Sequence, residues 1–376
     1  MAPMTMSRKI LIDLLSIPTA PFAEHQVLAY LDRFLGRRKL TDVTRDSAGN
    51  LLVRVRRGTR RVKRPVCITA HLDHPGFVVD RTVGKSSVRA FWRGGVPEEY
   101  FVGSQVRFDL AGRWIKGRIR SVTTVLRHGI RRVDTARVDV DHALPPGTIG
   151  MWDFPEPRIR GSRIYARACD DLAGAAAMVA CIDRLARSRF ACDAYFLFTR
   201  AEEVGFIGAI AAARKKTIPA KCIVVAMETS SELVDAKMGD GPILRVGDRA
   251  SAFTPAVTGY VHGIARELAR ADKQFRYQRK LMDGGTCESS AYCSLGYDAT
   301  GLCIALGNYH NVNRKLKKLG PEYVNLNDFD NVVKWFVELA RAPHAYTGRN
   351  TVLDDQIREL ETTYRGLLRR SRRRPC

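Results

Sequence analysis

The fold is decided by a short apolar run that ends on a potential metal ligand, Val66-Cys67-Ile68-Thr69-Ala70-His71-Leu72-Asp73. Short apolar runs bounded by polar residues predict buried strands of an α/β sheet. Three later runs have the same form: 195–199 before Glu202 and Glu203, 222–227 before Glu228, and 302–306 before His310. Because ligands bind at the carboxyl ends of such strands, these distant side chains are expected to meet in one crevice. We therefore predict an α/β fold with a mixed central sheet and helices on both of its faces.

The polar groups at these strand ends have the composition of a two-metal site. In chain order they are His71 with Asp73, Asp170 with Asp171, Glu202 with Glu203, Glu228, and His310. Two divalent ions need nitrogen or carboxylate ligands on each side and a carboxylate between them; they then activate water and stabilise the oxyanion at an attacked carbonyl. We expect His71 and Glu228 to bind one ion. Glu203 and His310 would bind the other, with Asp170 as the bridge.

Two further carboxylates have expected roles as non-ligands. Asp73 follows His71 by two residues and would accept the other imidazole N–H, which fixes the tautomer. Adjacent side chains diverge, so Glu202 cannot easily share the role of Glu203. As general base, Glu202 would take the proton of the attacking water and return it to the leaving amine. Each motif alone is common on solvated surfaces, and the prediction depends on the ordered set.

The local sequence around these residues resembles the cocatalytic zinc aminopeptidases of the glutamyl and tetrahedral group, which includes endoglucanase-like metallopeptidases. The similarity is carried by residues 70–77, 169–174, 202–209 and 309–311, and weaker matches extend it over about residues 8 to 340. In that family the first Asp of the pair bridges the metals and the first Glu is the base, which agrees with the roles given to Asp170 and Glu202. The resemblance implies two divalent ions, zinc first and cobalt or manganese as alternatives.

Residues 83–158 have a different sequence pattern, in which short segments of alternating apolar and polar residues are interrupted by Gly and Pro. This pattern predicts a small all-β insertion within a catalytic domain formed by residues 1–82 and 159–345. The resemblance implies the same, since the family carries a β-rich insertion used in oligomerisation. Strands so short cannot form a large core, so we expect one face to be covered by another subunit or by the catalytic domain. A homo-oligomer is therefore predicted.

Residues 346–376 lie beyond the resemblance and predict a heptad-like helix with a basic tail. Apolar residues recur there at 4-3-4-3 spacing: Leu353, Ile357, Leu360, Tyr364 and Leu367. Arginines dominate positions 369–374, and this tail could hold polyanions by charge alone. A stripe of about two heptads is too short to be stable alone in water. We expect it to dock on its own catalytic domain or on the same helix of a neighbouring subunit.

Charge and cysteine content restrict the setting of the protein. The 62 Lys and Arg against 39 Asp and Glu give a formal net charge of +23. Apart from the tail, this charge lacks aromatic interleaving or a nucleic-acid motif, and it favours a solvated basic surface. The nine cysteines are odd in number and lack C-x-x-C spacing, which favours reduced thiols and a cytoplasmic protein. No apolar stretch approaches transmembrane length, so no membrane partner is expected.

Three functions are compatible with these patterns. The first is an aminopeptidase that removes N-terminal residues from peptides with a dinuclear metal centre. The second is a related deacylase or amidohydrolase for N-acyl amino acids, which needs a site for a free carboxylate instead of an amine. The third is a basic, non-catalytic scaffold for RNA or an acidic partner. Four positions on the substrate side depart from the family pattern, and they leave the preferred side chain open: His74, Glu228, Cys287 and Asn308.

Overall fold

The computed structural model describes residues 4–59, 62–84, 86–127, 129–342 and 344–372. The helices there are α1 (Met6–Leu15), α2 (His25–Arg37), α3 (Cys169–Arg187), α4 (Ile207–Arg214), α5 (Pro255–Ala271), α6 (Glu288–Ser294), α7 (Leu326–Arg341) and α8 (Thr351–Ser371). The strands before α3 are β1 (Val43–Arg45), β2 (Leu51–Arg57), β3 (Val66–His71), β4 (Gly76–Thr82), β5 (Ser87–Arg93), β6 (Gln105–Leu110), β7 (Arg113–Arg127), β8 (Ile130–Val140), β9 (Ile149–Trp152), β10 (Arg158–Arg160) and β11 (Arg163–Ala166). The later strands are β12 (Cys192–Thr199), β13 (Ile223–Ser231), β14 (Ile243–Asp248), β15 (Gln278–Met282), β16 (Ala299–Gly307), β17 (Val312–Asn313), β18 (Lys318–Leu319) and β19 (Glu322–Asn325).

A mixed central sheet forms the larger part of the chain. Its strands lie in the order β1-β2-β12-β3-β13-β16-β19-β11-β10, and β14 joins β16 with β15 beyond it. The central four strands, β12, β3, β13 and β16, run parallel to one another. Because they are covered on both faces, their sequences are nearly continuous apolar runs. The predicted α/β fold and mixed sheet are confirmed.

Helices cover both faces of this sheet, as expected. The larger core joins one face to α1, α2, α3, α5 and α7. The smaller core joins the other face to α4 and α6. Small residues in α3 let the helix approach the sheet closely, since a Cβ on Gly174 would lie 2.6 Å from the Met227 side chain of β13.

The all-β insertion is a closed barrel with the strand order β4-β5-β8-β7-β6-β9. We expected it to span 83–158, but its strands run from Gly76 to Trp152, and β10 already pairs with β11 of the central sheet. The apolar start of β4 resembles a buried strand of the catalytic part, which is why the sequence pattern misplaced the first boundary. The division into separate domains stays a prediction.

The barrel encloses a core of its own. Aromatic rings pack in its interior, with centroids of Phe77 and Trp92 4.7 Å apart and those of Trp92 and Phe101 5.0 Å apart. The expectation that its strands are too short for a core was wrong, because β7 and β8 are 15 and 11 residues long and close the sheet on itself. The homo-oligomer prediction therefore needs other support.

The C-terminal helix α8 forms as predicted and contacts the rest of its own chain at its start. Its start is fixed on α5, where Asn350 lies against Gly259 so closely that a Cβ there would be 2.2 Å from the Asn350 side chain. Beyond this contact the apolar stripe is exposed. The last residues of the basic tail, 373–376, lie outside the described residues.

Two further expectations concern the chain as a whole. The eight cysteines within the described ranges are free, and seven of them are buried, which agrees with reduced thiols. In the same ranges, no helix has both the length and the apolar character needed to cross a membrane.

Candidate metal centre

The carboxyl end of β3 brings His71 into contact with two carboxylates. The imidazole is buried, and its Nε2 atom lies 3.4 Å from Asp170 Oδ1 and 3.4 Å from Glu228 Oε1. Glu228 reaches this point because β13 runs parallel to β3 as its neighbour. Asp170 reaches it from the first turn of α3. These three side chains form the first group that the sequence predicted.

A second group forms around His310, which follows β16. Its Nε2 atom lies 3.0 Å from Glu203 Oε2 and 3.7 Å from Asp170 Oδ2. His310 and Asn311 both have left-handed backbone conformations, with φ of 53° and 63°. Such conformations cost free energy in residues other than glycine, so the surrounding contacts must hold this turn in place.

Asp170 belongs to both groups. The ligand atoms within each group, His71–Asp170–Glu228 and Asp170–Glu203–His310, all lie within 4.8 Å of one another. Several of these atoms are buried and, despite the short distances between them, make no contact with hydrogen-bond geometry among the described residues: Asp170 Oδ1, Glu203 Oε1 and His310 Nε2. Buried polar atoms are normally satisfied, and a cation is the partner that this donor set fits. Imidazole and carboxylate ligands suit zinc, cobalt and manganese.

Backbone carbonyls orient both imidazoles. His71 Nδ1 lies 3.1 Å from the Asp73 carbonyl oxygen, and His310 Nδ1 lies 3.0 Å from the Gly95 carbonyl oxygen. Each Nδ1–H can donate to its carbonyl, which leaves Nε2 as the lone-pair nitrogen that faces the carboxylates. The two histidines are therefore oriented as ligands by the chain itself.

Asp73 contacts His71 as its position in the sequence suggested, and its carboxylate has a further role. The carboxylate oxygen lies 3.5 Å from His71 Nδ1, and the backbone carbonyl of Asp73 is a nearer acceptor at 3.1 Å. The Asp73 carboxylate also accepts the backbone N–H groups of Glu202 and Glu203, at 2.9 and 3.0 Å. The sequence identified the residue, and the structure adds these two backbone contacts.

Glu202 also approaches His71, and these two residues form a third group of ligand-type side chains with Glu203. Its Oε2 atom is 3.9 Å from His71 Nε2, whereas the carboxylates of Asp170 and Glu228 are 3.4 Å away. Glu202 also lines the large pocket beside the centre, together with Glu203. Burial, opposed by the attraction of His71, raises the pKa of Glu202 well above its ordinary value.

Glu24 supports the loop that carries Glu202, and the sequence pattern did not reveal it. Its carboxylate is fully buried, accepts the Ala201 N–H at 3.0 Å and pairs with Arg200 at 2.8 Å. Ala201 has a left-handed backbone with φ of 53°, so this turn also needs external support. No local signal marks Glu24, because its partners lie far along the chain.

A second buried network holds Asp170 in place. The Asp170 N–H donates to Glu322 Oε2 at 3.0 Å, and the Asp170 carbonyl oxygen lies 2.6 Å from His74 Nδ1. The other His74 nitrogen is 3.1 Å from Asn311 Oδ1, and Asn311 Nδ2 donates to the Arg167 carbonyl. Sequence analysis noted His74 only as a departure from the family and missed Glu322.

The crowded charges shift the titration of the metal-free centre. Burial raises the pKa of Glu228 to about 7, against the lowering effect of its hydrogen bond with His71. For His310, burial acts to lower the pKa, but the Glu203 carboxylate outweighs it and the pKa rises to about 9. At neutral pH the centre without metal therefore retains protons that bound cations would displace.

The centre opens into a pocket of about 990 Å³ between the two parts of the chain. Glu202, Glu203, Tyr309 and His310 form its inner wall, and the Tyr309 ring stacks on His310 at a centroid distance of 3.8 Å. Cationic side chains surround it, from barrel strands and from loops of the main body: Arg93, Arg127, Arg132, Arg249 and Arg314. Three carboxylates share the lining, those of Asp134, Glu202 and Glu203, so the arginines leave it with a modest excess of positive charge.

Comparisons with known proteins identify the family of this chain. The sequence profile of the family described as "M42 glutamyl aminopeptidase" matches residues 49–314. A curated protein of Acetivibrio thermocellus named "Putative aminopeptidase" is 25% identical over 304 residues, which cover 78% of this chain and 86% of that protein.

Two solved structures show the same fold. The aminopeptidase APDkam598 from the archaeon Desulfurococcus kamchatkensis superposes with a TM-score of 0.72 at 21% identity, covering 89% of this chain and 94% of that one. The TET1 peptidase of Pyrococcus horikoshii, described as assembling into a tetrahedron or a large octahedral shell, superposes with a TM-score of 0.70 at 20% identity, covering 89% and 99%.

Proposed function

The chain belongs to the M42 glutamyl aminopeptidase family and is a peptidase, and we propose that it is an aminopeptidase with a dinuclear metal centre. The observation that carries this proposal is the sharing of Asp170 between two groups of ligand-type side chains. One carboxylate between two histidine–carboxylate pairs is the arrangement that two neighbouring divalent ions require.

We propose that His71 and Glu228 hold one ion and that Glu203 and His310 hold the other, with Asp170 between them. When bound, two such ions, zinc first and cobalt or manganese as alternatives, supply Lewis acidity that lowers the pKa of water and polarises the scissile carbonyl. The buried atoms of this set that lack hydrogen-bond partners among the described residues support the assignment.

Glu202 is proposed as the general base. Its carboxylate lines the pocket and lies with His71 and Glu203 in a third group of ligand-type side chains, and as a non-ligand it can take a proton from the attacking water and deliver it to the leaving amine. Asp73 is a positioning residue, because it fixes the backbone of Glu202 and Glu203 without facing the pocket. Glu24 has a similar role, because it accepts the backbone N–H of Ala201, the residue before Glu202.

Replacement of Asp170 and of Glu202 tests these roles separately. Asp170→Ala should weaken both metal sites, and two tightly held ions in that variant would remove Asp170 as the bridge. Glu202→Gln should lower turnover by a factor of roughly 10²–10⁴ with unchanged metal content. Loss of metal from Glu202→Gln, measured by elemental analysis, would mean that Glu202 is a ligand. Glu203→Gln is the matched variant, and it should lose metal.

The arginines around the pocket favour a substrate with an acidic side chain. Arg93 and Arg127 already have partners within the chain, the Pro21 carbonyl and Asp134. Arg132 lies close to the centre, since its guanidinium and the His310 ring are both beside Gly95. The same cationic pocket would accept the free carboxylate of an N-acyl amino acid, so the deacylase function is the second candidate.

A panel of paired substrates separates the two functions. Glutamyl, aspartyl and leucyl peptides with free N-termini are compared with their N-acetylated forms and with N-acetyl-glutamate. Faster release from free acidic N-termini would support the aminopeptidase, and Arg132→Ala should reduce the acidic preference without reducing leucyl turnover. Hydrolysis of N-acetyl-glutamate alone would identify a deacylase.

We also propose that the protein is a homo-oligomer in the cytoplasm. Assembly is proposed from the likeness to the TET1 peptidase, of which one solved structure is described as forming a tetrahedron or a large octahedral shell and another, of PhTET1, as a dodecamer. The cytoplasmic setting is proposed from the free, buried cysteines. Light scattering at micromolar concentration tests the first point, and a monomer there would contradict it.

A further inference from the structure

Helix α8 carries an apolar stripe that its own chain leaves uncovered. Its members keep 49% to 58% of their surface exposed: Leu353, Ile357, Leu360, Tyr364 and Leu367. The helix is fixed at its start, where Asn350 lies against Gly259 of α5 and its side chain accepts the Leu353 N–H at 3.3 Å. The stripe is therefore held in a defined place and remains available to a partner.

The spacing of the stripe specifies what kind of partner fits. Residues at 4-3-4-3 intervals form a narrow seam with a period of 3.5 residues, which matches another helix of the same period. A helix that packs on a globular surface or lies on a membrane has a wider apolar face. Glu361 and Arg365 are paired along one flank of the seam, where Leu368 is also exposed, and Thr362 lies on the polar side opposite to the seam. The seam is thus suited to a coiled coil.

Charge identifies the partner and its direction. Residues 351–361 carry four carboxylates, Asp354, Asp355, Glu359 and Glu361, against one arginine. Residues 362–372 carry four arginines, Arg365, Arg369, Arg370 and Arg372, and no acidic residue. The centres of the two halves are about 16 Å apart along the helix axis, which exceeds the Debye length of about 8 Å at physiological salt. Each half therefore responds mainly to the half that lies opposite to it.

We propose that α8 pairs with α8 of a second copy of this chain as an antiparallel two-stranded coiled coil. In the antiparallel orientation the acidic half of each helix faces the basic half of the other, and the two helix macrodipoles point in opposite directions. A two-fold axis near Leu360, the middle member of the stripe, makes the contact self-complementary. A parallel pair would place like charges together along its whole length. An anionic lipid surface would be repelled by the acidic half.

This pairing does not depend on the proposed hydrolysis, since no residue of α8 belongs to the metal centre or lines its pocket. The two can therefore fail separately. Because two short helices associate weakly by themselves, the pairing acts on the full chain, where α8 is anchored on the folded body.

The first test adds one charge to either side of α8 in the full-length protein. Leu360→Asp places a carboxylate in the seam, and Thr362→Asp places the same group on the polar side. Sedimentation velocity should show that Leu360→Asp, like truncation after Arg349, weakens one association step by about tenfold or more, because a charge is buried without a partner. Thr362→Asp should associate as the parent does, and peptidase activity should be unchanged in both. Equal association of the parent and Leu360→Asp would overturn the proposal.

The second test measures direction. Spin labels on Arg369→Cys lie nine residues from Leu360, so antiparallel pairing about that residue separates them by roughly 27 Å along the axis. The parent protein, treated with the same reagent, gives the background from native cysteines. A parallel pair would hold the labels about 10 Å apart, the distance between helix axes, and would overturn the proposal. If the protein bound phosphatidylserine vesicles and the labels showed neither the antiparallel nor the parallel distance, the proposal would also be overturned. The partner of α8 would then be a membrane surface.

Discussion

The Asp73 carboxylate offers the sharpest test of how this chain builds its metal centre. Its two oxygens accept the backbone N–H groups of Glu202 and Glu203, at 2.9 and 3.0 Å, from a position with no solvent exposure. Asp73→Asn keeps the size of the side chain but leaves one oxygen to accept. The other position becomes an NH₂ group that faces an N–H donor. One charge-assisted hydrogen bond is therefore lost, and one buried donor loses its acceptor.

The expected magnitude follows from this loss. A hydrogen bond to a charged group contributes about 1.5–3 kcal/mol, and every 1.4 kcal/mol is a factor of ten in an equilibrium constant. If the loss falls on the loop that presents Glu202 and Glu203, metal affinity should drop roughly ten- to a hundredfold. This agrees with the usual effect of removing a residue that orients metal ligands. Turnover at saturating metal should fall as well, because Glu202 is displaced.

Asp328 provides a matched control for general destabilisation. It is also a buried carboxylate that accepts two backbone N–H groups, from Gly239 at 2.7 Å and Gly241 at 2.9 Å, and it is not part of the ligand groups. Asp328→Asn should lower the melting temperature as Asp73→Asn does. Its zinc or cobalt affinity, measured by competition with a chelator, should stay within about threefold of the parent. Equal metal affinity in the two variants would refute the positioning role of Asp73.

Three further outcomes are expected. Gly174→Ala should destabilise the fold by roughly 1–3 kcal/mol, because its Cβ would lie 2.4 Å from the Asp171 carboxylate oxygens. The control Gly366→Ala, on the exposed helix α8, should be neutral or stabilising, and thermal unfolding measures the stability of both variants. Metal affinity should rise with pH up to about 9, and most steeply below about 7. The reason is that His310, with a pKa of about 9, and Glu228, with a pKa of about 7, must release protons to become ligands. An affinity that stays constant between pH 6 and 9, measured by chelator competition, would contradict these shifts. Dialysis against a chelator should abolish peptide hydrolysis and leave the far-ultraviolet circular dichroism near native, with activity restored by zinc, cobalt or manganese; restoration by buffer alone would argue against a metal centre.

The clustering of the ligand-type residues could be predicted from the sequence because of the parallel topology. His71 and Glu228 lie on neighbouring parallel strands and His310 follows the next one, so strand order alone brings their distant positions together. The apolar runs before them reveal the strands, because strands covered on both faces must be apolar throughout. The same local logic predicted α8, whose periodic residues need no tertiary contact to mark a helix.

The supporting contacts could not be read in this way. Glu24 holds Ala201 across more than 170 residues of sequence, and Glu322 holds Asp170 across more than 150. Neither glutamate has a local pattern that distinguishes it from a solvated surface residue. Its burial depends on which loop folds over it, and that depends on the packing of several elements at once.

The sequence by itself determined the α/β class, the strand ends that carry the ligand-type residues and the period of the terminal helix, because apolar runs and helix periodicity are local properties of the chain. Only the tertiary structure decided that Asp73 fixes the backbone of the two glutamates, that the insertion closes into a barrel starting at Gly76, and that the stripe of α8 stays exposed. Each of these depends on the distance and direction between segments that are remote in sequence, and such distances are set by strand register, barrel closure and packing.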